Sequence, residues 1–196
     1  LSISYNRLGD VSVQAGKLDE ALEYYTKYLG INQKLAAADP SDAQAQRDLS
    51  ISYDRLGEVS QQAGKLDEAR EYYTKHLAIR QKLASDDPNN PQAGRDLAVS
   101  YYNLGNVSRQ AAKLDEALEY YTKQLAISQK LASADPNNAE AQRDLSISYD
   151  RLGGVSRQAG KLDEAREYYT KHLAITQKLA SADPNNARAQ RDLSLS

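Results

Sequence analysis

The sequence predicts an all-α protein, a solenoid of antiparallel helical hairpins, and three observations lead to that prediction. One phrase recurs with a period of 48 residues and opens at Leu1, Leu49, Leu97, Leu145 and Leu193. Across the four complete copies, 30 of the 48 columns are identical, so the copies share one structure. Each copy contains two stretches with helical periodicity, and no stretch shows the period of two that marks a β-strand.

The periodicity predicts a single repeat domain over residues 1–196. Its repeats are 1–48, 49–96, 97–144 and 145–192, and residues 193–196 begin a fifth. A unit of this size buries its hydrophobic face only against neighbours, so the core is expected between stacked repeats. The chain opens in mid-pattern without a Met, which is typical of a piece of a longer array or of an engineered chain.

The first helix of each repeat, helix A, is clearest in the third copy. Asn90 is a favourable N-cap, and Pro91 suits the first helical position. Apolar and small side chains then follow at helical spacing, at Leu97, Tyr101, Leu104 and Ser108. A helix of about 20 residues is predicted, ending near Ala111. The other copies have a glycine there, which suits a left-handed helix end: Gly16, Gly64 and Gly160.

The second helix, helix B, opens at Leu66 in the second copy, where Asp67 and Glu68 complement the positive end of the helix dipole. It is expected to end before Asp87, because the residue that precedes a proline disfavours the α conformation. Helix A carries an internal glycine in every copy, although glycine costs about 1 kcal/mol relative to alanine there. This recurrence predicts a close approach of helix B at Gly9, Gly57, Gly105 and Gly153.

The order of these residues resembles the tetratricopeptide repeat family. Tyr5, Leu8-Gly9, Ala21, Tyr25 and Asp39-Pro40 match the family's aromatic, Leu-Gly, alanine, aromatic and closing proline in order, in every copy. The family repeat has about 34 residues, so about seven residues are added to each helix here, at the same end of the hairpin. The added turns are expected to pack on one another, as in the long repeats of bacterial multidomain proteins.

The resemblance implies a right-handed superhelix in which helices A line a concave groove for peptide ligands. Three columns of helix A change character from copy to copy, and their i, i+4, i+7 spacing puts them on one face. We expect this variable stripe to bind the ligand: Asn6, Asp10, Val13, Asp54, Glu58, Gln61, Tyr102, Asn106, Arg109, Asp150, Gly154 and Arg157.

The variable stripe is acidic in repeats one and two and basic in repeats three and four, so it predicts a peptide of opposite polarity, with Tyr102 as an anchor. Other columns predicted to be exposed, such as Lys17, Lys27, Gln33 and Lys34, are identical in every copy. This constancy favours a ligand-facing stripe over neutral drift.

Composition and motifs exclude other classes of function. The net charge of −2 gives no general attraction to nucleic acid, and no apolar run approaches the roughly 18 residues of a membrane span. No signal-like segment is present, so a cytoplasmic location is expected. His76 and His172 lack neighbouring metal ligands, and no phosphate-binding glycine loop occurs. We therefore expect no metal, no cofactor and no enzyme.

Two functions remain open. The leading hypothesis is a scaffold that binds a protein or peptide in the groove lined by helix A. The alternative is a structural array that self-assembles into end-to-end filaments or tubes. No polar capping repeat is present, and residues 186–196 of one molecule would stack on the first repeat of the next.

Overall fold

The computed structural model describes residues 1–194, and residues 195–196 of the predicted fifth repeat lie outside the described residues. The chain forms two compact units, Leu1–Ala111 and Ala112–Ser196, which are described separately. The prediction of one domain over residues 1–196 stays a prediction.

The first unit is a stack of five helices. They are α1 (Ser2–Gln14), α2 (Leu18–Ala38), α3 (Ala43–Gln62), α4 (Leu66–Asp86) and α5 (Pro91–Gln110). Helices α1 and α2 form one hairpin, and α3 and α4 form the next. Helix α3 also packs on α2, and α5 packs on α4, so α3 joins the two helices B of this unit into a continuous layer.

The second unit repeats this arrangement with α6 (Leu114–Ala134), α7 (Ala139–Gln158), α8 (Leu162–Ala182) and α9 (Ala187–Ser194). Helix α7 packs against α6 and α8, and α9 packs on α8. Every regular element within residues 1–194 is a helix, and the predicted all-α solenoid of hairpins is confirmed. Among these helices, none combines the length and the apolar character that spanning a bilayer requires.

The helix boundaries follow the predicted signals, with one correction. Asn90 caps α5 by accepting hydrogen bonds from the backbone N–H groups of Gln92 (3.0 Å) and Ala93 (3.3 Å). The left-handed residue of the third copy is Ala112, with φ 58°, not the predicted Ala111. Helix A therefore ends at Gln110, and its C-cap Ala111 remains near the right-handed region.

The turns added to the two helices pack on each other, as predicted. The Gln46 side chain, near the start of α3, donates to the Ala36 carbonyl at the end of α2 (3.4 Å). The same bond joins Gln142 to Ala132 at 3.3 Å in the second unit. The longer helices therefore extend the contact between α2 and α3 and between α6 and α7.

The predicted close approach at the glycines of helix A is confirmed, and its partner is a tyrosine ring. A Cβ atom added to Gly57 would lie 2.6 Å from Cε1 of Tyr73, and one added to Gly9 would lie 2.4 Å from the same atom of Tyr25. The second unit repeats the contact between Gly153 and Tyr169, at 2.8 Å. A methyl group at these positions would overlap with the ring.

Replacing Gly57 with alanine is expected to lower the free energy of unfolding by about 1–3 kcal/mol, because a methyl group overpacks against Tyr73. The matched control is Gly30→Ala in α2, where no atom lies within 4 Å of an added Cβ. Because alanine favours the helix more than glycine does, Gly30→Ala should raise the free energy of unfolding by about 1 kcal/mol. Urea denaturation of both variants measures the difference, and equal effects would contradict the contact.

Candidate functional site

The variable stripe lies on helices of type A in both units. Nine of its residues are on α1, α3 and α5, and the other three, Asp150, Gly154 and Arg157, are on α7. Most of these residues are half-buried, whereas Glu58 and Arg157 are exposed. The stripe is therefore partly accessible surface and partly contact between neighbouring helices.

Asp10 is the centre of a polar cluster between the first two repeats. It accepts a hydrogen bond from the Tyr25 hydroxyl (2.8 Å), and the Nε atom of Arg55 lies 4.0 Å from the same oxygen. Arg55 also pairs with Glu58 at 3.3 Å. Burial, followed by the hydrogen bond to Asp10, raises the pKa of Tyr25, so the phenol remains a neutral donor.

Two further contacts connect α3 to α5. Asp54 accepts a hydrogen bond from the Asn103 amide at 2.7 Å. Gln61 accepts from the Tyr73 hydroxyl (3.0 Å) and donates to Gln110 (2.9 Å). The stripe thus also joins successive repeats, because several of its polar groups already have partners within the first unit.

Sequence analysis missed Arg55 and Asn103, which occupy the column next to the first stripe column. This column holds Arg7, Arg55, Asn103 and Arg151, so the change to asparagine in the third copy was the available signal. Arg55 adds a cation beside Asp10 and Glu58, and it offsets part of the acidity assigned to the stripe in the first two repeats.

Several constant exposed columns have structural partners. Gln33 at the end of one repeat donates to the Tyr53 hydroxyl of the next at 3.2 Å, and Gln81 donates to Tyr101 at 3.1 Å. Lys27 lies over the Tyr24 ring, 5.6 Å from its centroid. These contacts account for part of the constancy, so constancy alone does not distinguish a ligand-facing stripe from neutral drift.

A second variable column is buried in helix B, and sequence analysis did not single it out. It contains Asn32, Arg80, Ser128 and Thr176, and we call it the buried polar column. Asn32 donates to the Ser52 hydroxyl of the next helix A at 2.7 Å, and Ser128 bonds equivalently to Ser148 at 2.9 Å. At these two positions the column therefore connects helix B to the following repeat.

His76 and His172 occupy another variable column of helix B and bond to helix A of their own repeats. The Nδ1 atom of His76 lies 3.0 Å from the Ser50 carbonyl, so this nitrogen carries the proton. Its Nε2 atom is buried without a partner. In the part of the chain that the structure describes, no three His, Asp or Glu side chains cluster as metal ligands would.

Comparison with known families identifies the repeat. A family model described as Tetratricopeptide repeat matches residues 1–82 and 96–154. The chain belongs to the tetratricopeptide repeat family. Two further models with the same description match residues 148–183 and 55–124. Tetratricopeptide repeats generally mediate interactions between proteins.

A comparison with solved structures supports the fold. The crystal structure of BtubC (BKLC) from P. vanneervenii is similar, with a TM-score of 0.71 and 24% sequence identity. The match covers 91% of this chain and 64% of that one, so this tetratricopeptide repeat chain spans less than two thirds of BtubC. At this identity the likeness shows the fold alone. The search of curated proteins found no match.

Protonation of His76 is expected to destabilise this tetratricopeptide repeat chain. Burial lowers the pKa of His76 from its ordinary value of 6.5, and Asp54 opposes this only in part. Below about pH 6.5 the unfolded chain binds a proton that the folded chain does not. The free energy of unfolding should therefore fall as the pH decreases below that value, by at most about 1.4 kcal/mol per pH unit.

Urea denaturation of the wild type and of His76→Gln between pH 5 and pH 8 measures this effect. Glutamine occupies the equivalent position in the third copy, at Gln124, so the replacement suits the site. The stability difference between the two proteins should change with pH below 6.5. A difference that stays constant over the whole range would contradict the assignment.

Proposed function

We propose that the chain is a scaffold that binds a protein or peptide along the variable stripe. The observation that carries this proposal is the contrast between a repeated core and a half-exposed face whose chemistry changes with each repeat. The Gly–Tyr contact recurs in both units, whereas the stripe offers a different set of groups in each copy. A surface of this kind can distinguish one extended peptide from another, because each repeat offers different groups to a different part of the peptide.

Contacts within the stripe support a preorganised binding surface. Asp10 and Asp54 are held by hydrogen bonds from Tyr25 and Asn103, so binding costs little side-chain entropy there. Arg109 lies in the last turn of α5, on the same face as Tyr102. Arginine and tyrosine are the residue types that contribute most to interface energies. We expect these two residues to anchor a ligand that carries an acidic and an apolar group.

We further propose that the chain binds without catalysis. Several polar groups of the stripe are held by neighbouring side chains as fixed donors and acceptors, and the partners of His76 and His172 are serine groups of their own repeats. His172 contacts the hydroxyl of Ser146, but Ser146 is buried in the core, where a substrate cannot reach it. His76 contacts a backbone carbonyl, which is not a nucleophile.

Replacing Tyr102 and Arg109 together with alanine should weaken peptide binding by about tenfold or more, because both side chains act as anchors. The probe is a set of peptides selected from a displayed random library on the wild-type chain, with affinities measured by isothermal titration. Lys34→Ala is the control, since Lys34 is exposed on α2, outside the stripe. Selected peptides that bind the double variant as tightly as the wild type would refute this assignment of the stripe.

A second candidate, end-to-end stacking of copies, is favoured by a specific observation. Leu56 and Val59 of α3 have no exposed surface, whereas their counterparts on α1, Leu8 and Val11, are 43% and 62% exposed. Inside the first unit, α3 packs this pair against Tyr25 of α2. The outer face of α1 therefore carries the residues of an internal interface.

Helix α8 carries the other half of the same interface. Tyr169 and Leu173 repeat the residues Tyr25 and Leu29 of α2, and they are more exposed than those counterparts. A shallow cavity of about 370 Å³ lies beside them, and Leu162 forms part of its lining. We propose that α1 of a second copy packs on this α8 face, in the geometry by which α3 packs on α2. Such a heterologous contact would extend into filaments unless it closes.

Light scattering over a concentration series tests the stacking. The wild type should exceed the monomer mass of 21.7 kDa increasingly as concentration rises, and Leu8→Lys with Val11→Lys should remain at that mass. Val99→Lys is the control, because Val99 is an exposed apolar residue on α5, outside both faces. A wild-type mass that does not change with concentration would rule out this candidate.

A further inference from the structure

A small cavity in the first unit carries an excess of positive charge. Its volume is about 130 Å³, and it lies between α3, α4 and the first turns of α5. Arg47 and Arg80 form part of its wall, and Asp96 is the acidic residue of the lining. Within the lining, two guanidinium groups and one carboxylate leave one positive charge in excess, and the nearby carboxylate of Asp54 offsets part of it at Arg80.

The second unit contains the same junction with a different arrangement of charges. There Arg143 and Asp192 stand where the first unit has Arg47 and Asp96, and they form a two-bond pair of 2.7 and 3.4 Å. The residue equivalent to Arg80 is Thr176, which bonds to carbonyls of its own helix. In the second unit, the charge of Arg143 is therefore neutralised by its pair with Asp192.

Arg80 changes this pairing in the first unit. Its Nη1 atom donates to Asp96 Oδ2 at 2.5 Å, and the Gln92 amide donates to the other oxygen at 2.7 Å. Both oxygens of Asp96 are thus occupied by other donors. Arg47 makes no hydrogen bond or ion pair with any residue in the range 1–194.

Arg80 is itself incompletely satisfied. It is only 8% exposed, and its Nε atom is buried without a hydrogen-bond partner. Leaving a buried donor of a charged group unpaired is unfavourable, because no hydrogen bond compensates for the water that the donor has lost. Burial lowers the pKa of Arg80, and Asp96 opposes this, which reflects the same lack of solvation. An anion in the cavity would instead interact with the two guanidinium charges in its wall.

Helix α5 begins at the cavity, and it adds a smaller attraction for negative charge. The Asn90 side chain already accepts from the backbone N–H groups of Gln92 and Ala93, so these donors are not available to a ligand. What remains is the positive end of the helix dipole, which favours an anion weakly. The two arginines therefore supply most of the attraction.

We propose that this cavity binds one phosphate group, held between the guanidinium groups of Arg47 and Arg80. The planar guanidinium donates to two phosphate oxygens at once, and tetrahedral geometry leaves another oxygen for the second arginine. A volume of 130 Å³ corresponds to about four waters at about 30 Å³ each, enough room for such an anion. The group is either free phosphate or a phosphoryl group on a larger ligand, and none of the residues that line this cavity belongs to the variable stripe.

Isothermal titration with inorganic phosphate, against sodium chloride of equal ionic strength, tests the site. The wild type should show saturable binding, and Arg80→Thr and Arg47→Gln should each weaken it by about tenfold or more, the loss of a charged hydrogen bond. Threonine is the occupant in the second unit, so Arg80→Thr should fold, with Asp96 free to pair with Arg47. Lys82→Gln removes an exposed charge outside the cavity and should leave the affinity within about twofold of wild type.

A second titration with O-phosphoserine distinguishes the two sources of the group. Binding of both compounds supports a phosphoryl group presented by a larger ligand, and binding of inorganic phosphate alone supports the free ion. The proposal is overturned if the wild type shows no saturable phosphate binding, or if Arg80→Thr and Arg47→Gln bind phosphate as tightly as the wild type. Circular dichroism of both variants checks that they remain folded.

Discussion

The close contact between a helix A glycine and a tyrosine ring of helix B is the constraint on which the other contacts depend. With no Cβ at Gly57, the Tyr73 ring can lie against the α3 backbone and bring the two helices together. The same tyrosine reaches Gln61 with its hydroxyl, so the packing contact also orients a residue of the variable stripe. A change in the distance between α3 and α4 would therefore also change the position of Gln61 on the variable stripe.

Most of the fold was predictable because its signals are local and repeated. The Asn90 cap, the proline after Asp87 and the glycines of helix A fix boundaries and phase with few neighbours involved. Ala112 was the exception, because alanine gives no local signal for a positive φ value. There the repeat itself imposes the conformation that glycine adopts in the other copies.

The candidate site was less predictable because its properties depend on contacts between repeats. Arg55 offsets the acidity of Asp10 across a repeat boundary, which is a contact of high sequence separation. Arg80 looks like an ordinary solvated charge on helix B, and its burial follows only from the packing of α5 on α4. The helical period alone gives no information on which polar side chains meet.

The buried polar column has a consequence for the length of the array. Two of its side chains meet the same serine of the next helix A, Asn32 at Ser52 and Ser128 at Ser148, whereas Arg80 bonds to Asp96 instead. The junctions after the first and third repeats are therefore chemically interchangeable. Unequal recombination in the coding sequence could exchange one of these two junctions for the other, and so remove or duplicate the 48-residue units between them, and still leave compatible partners. The residues at these junctions therefore determine how neighbouring units join, whereas they do not determine how many units the array contains.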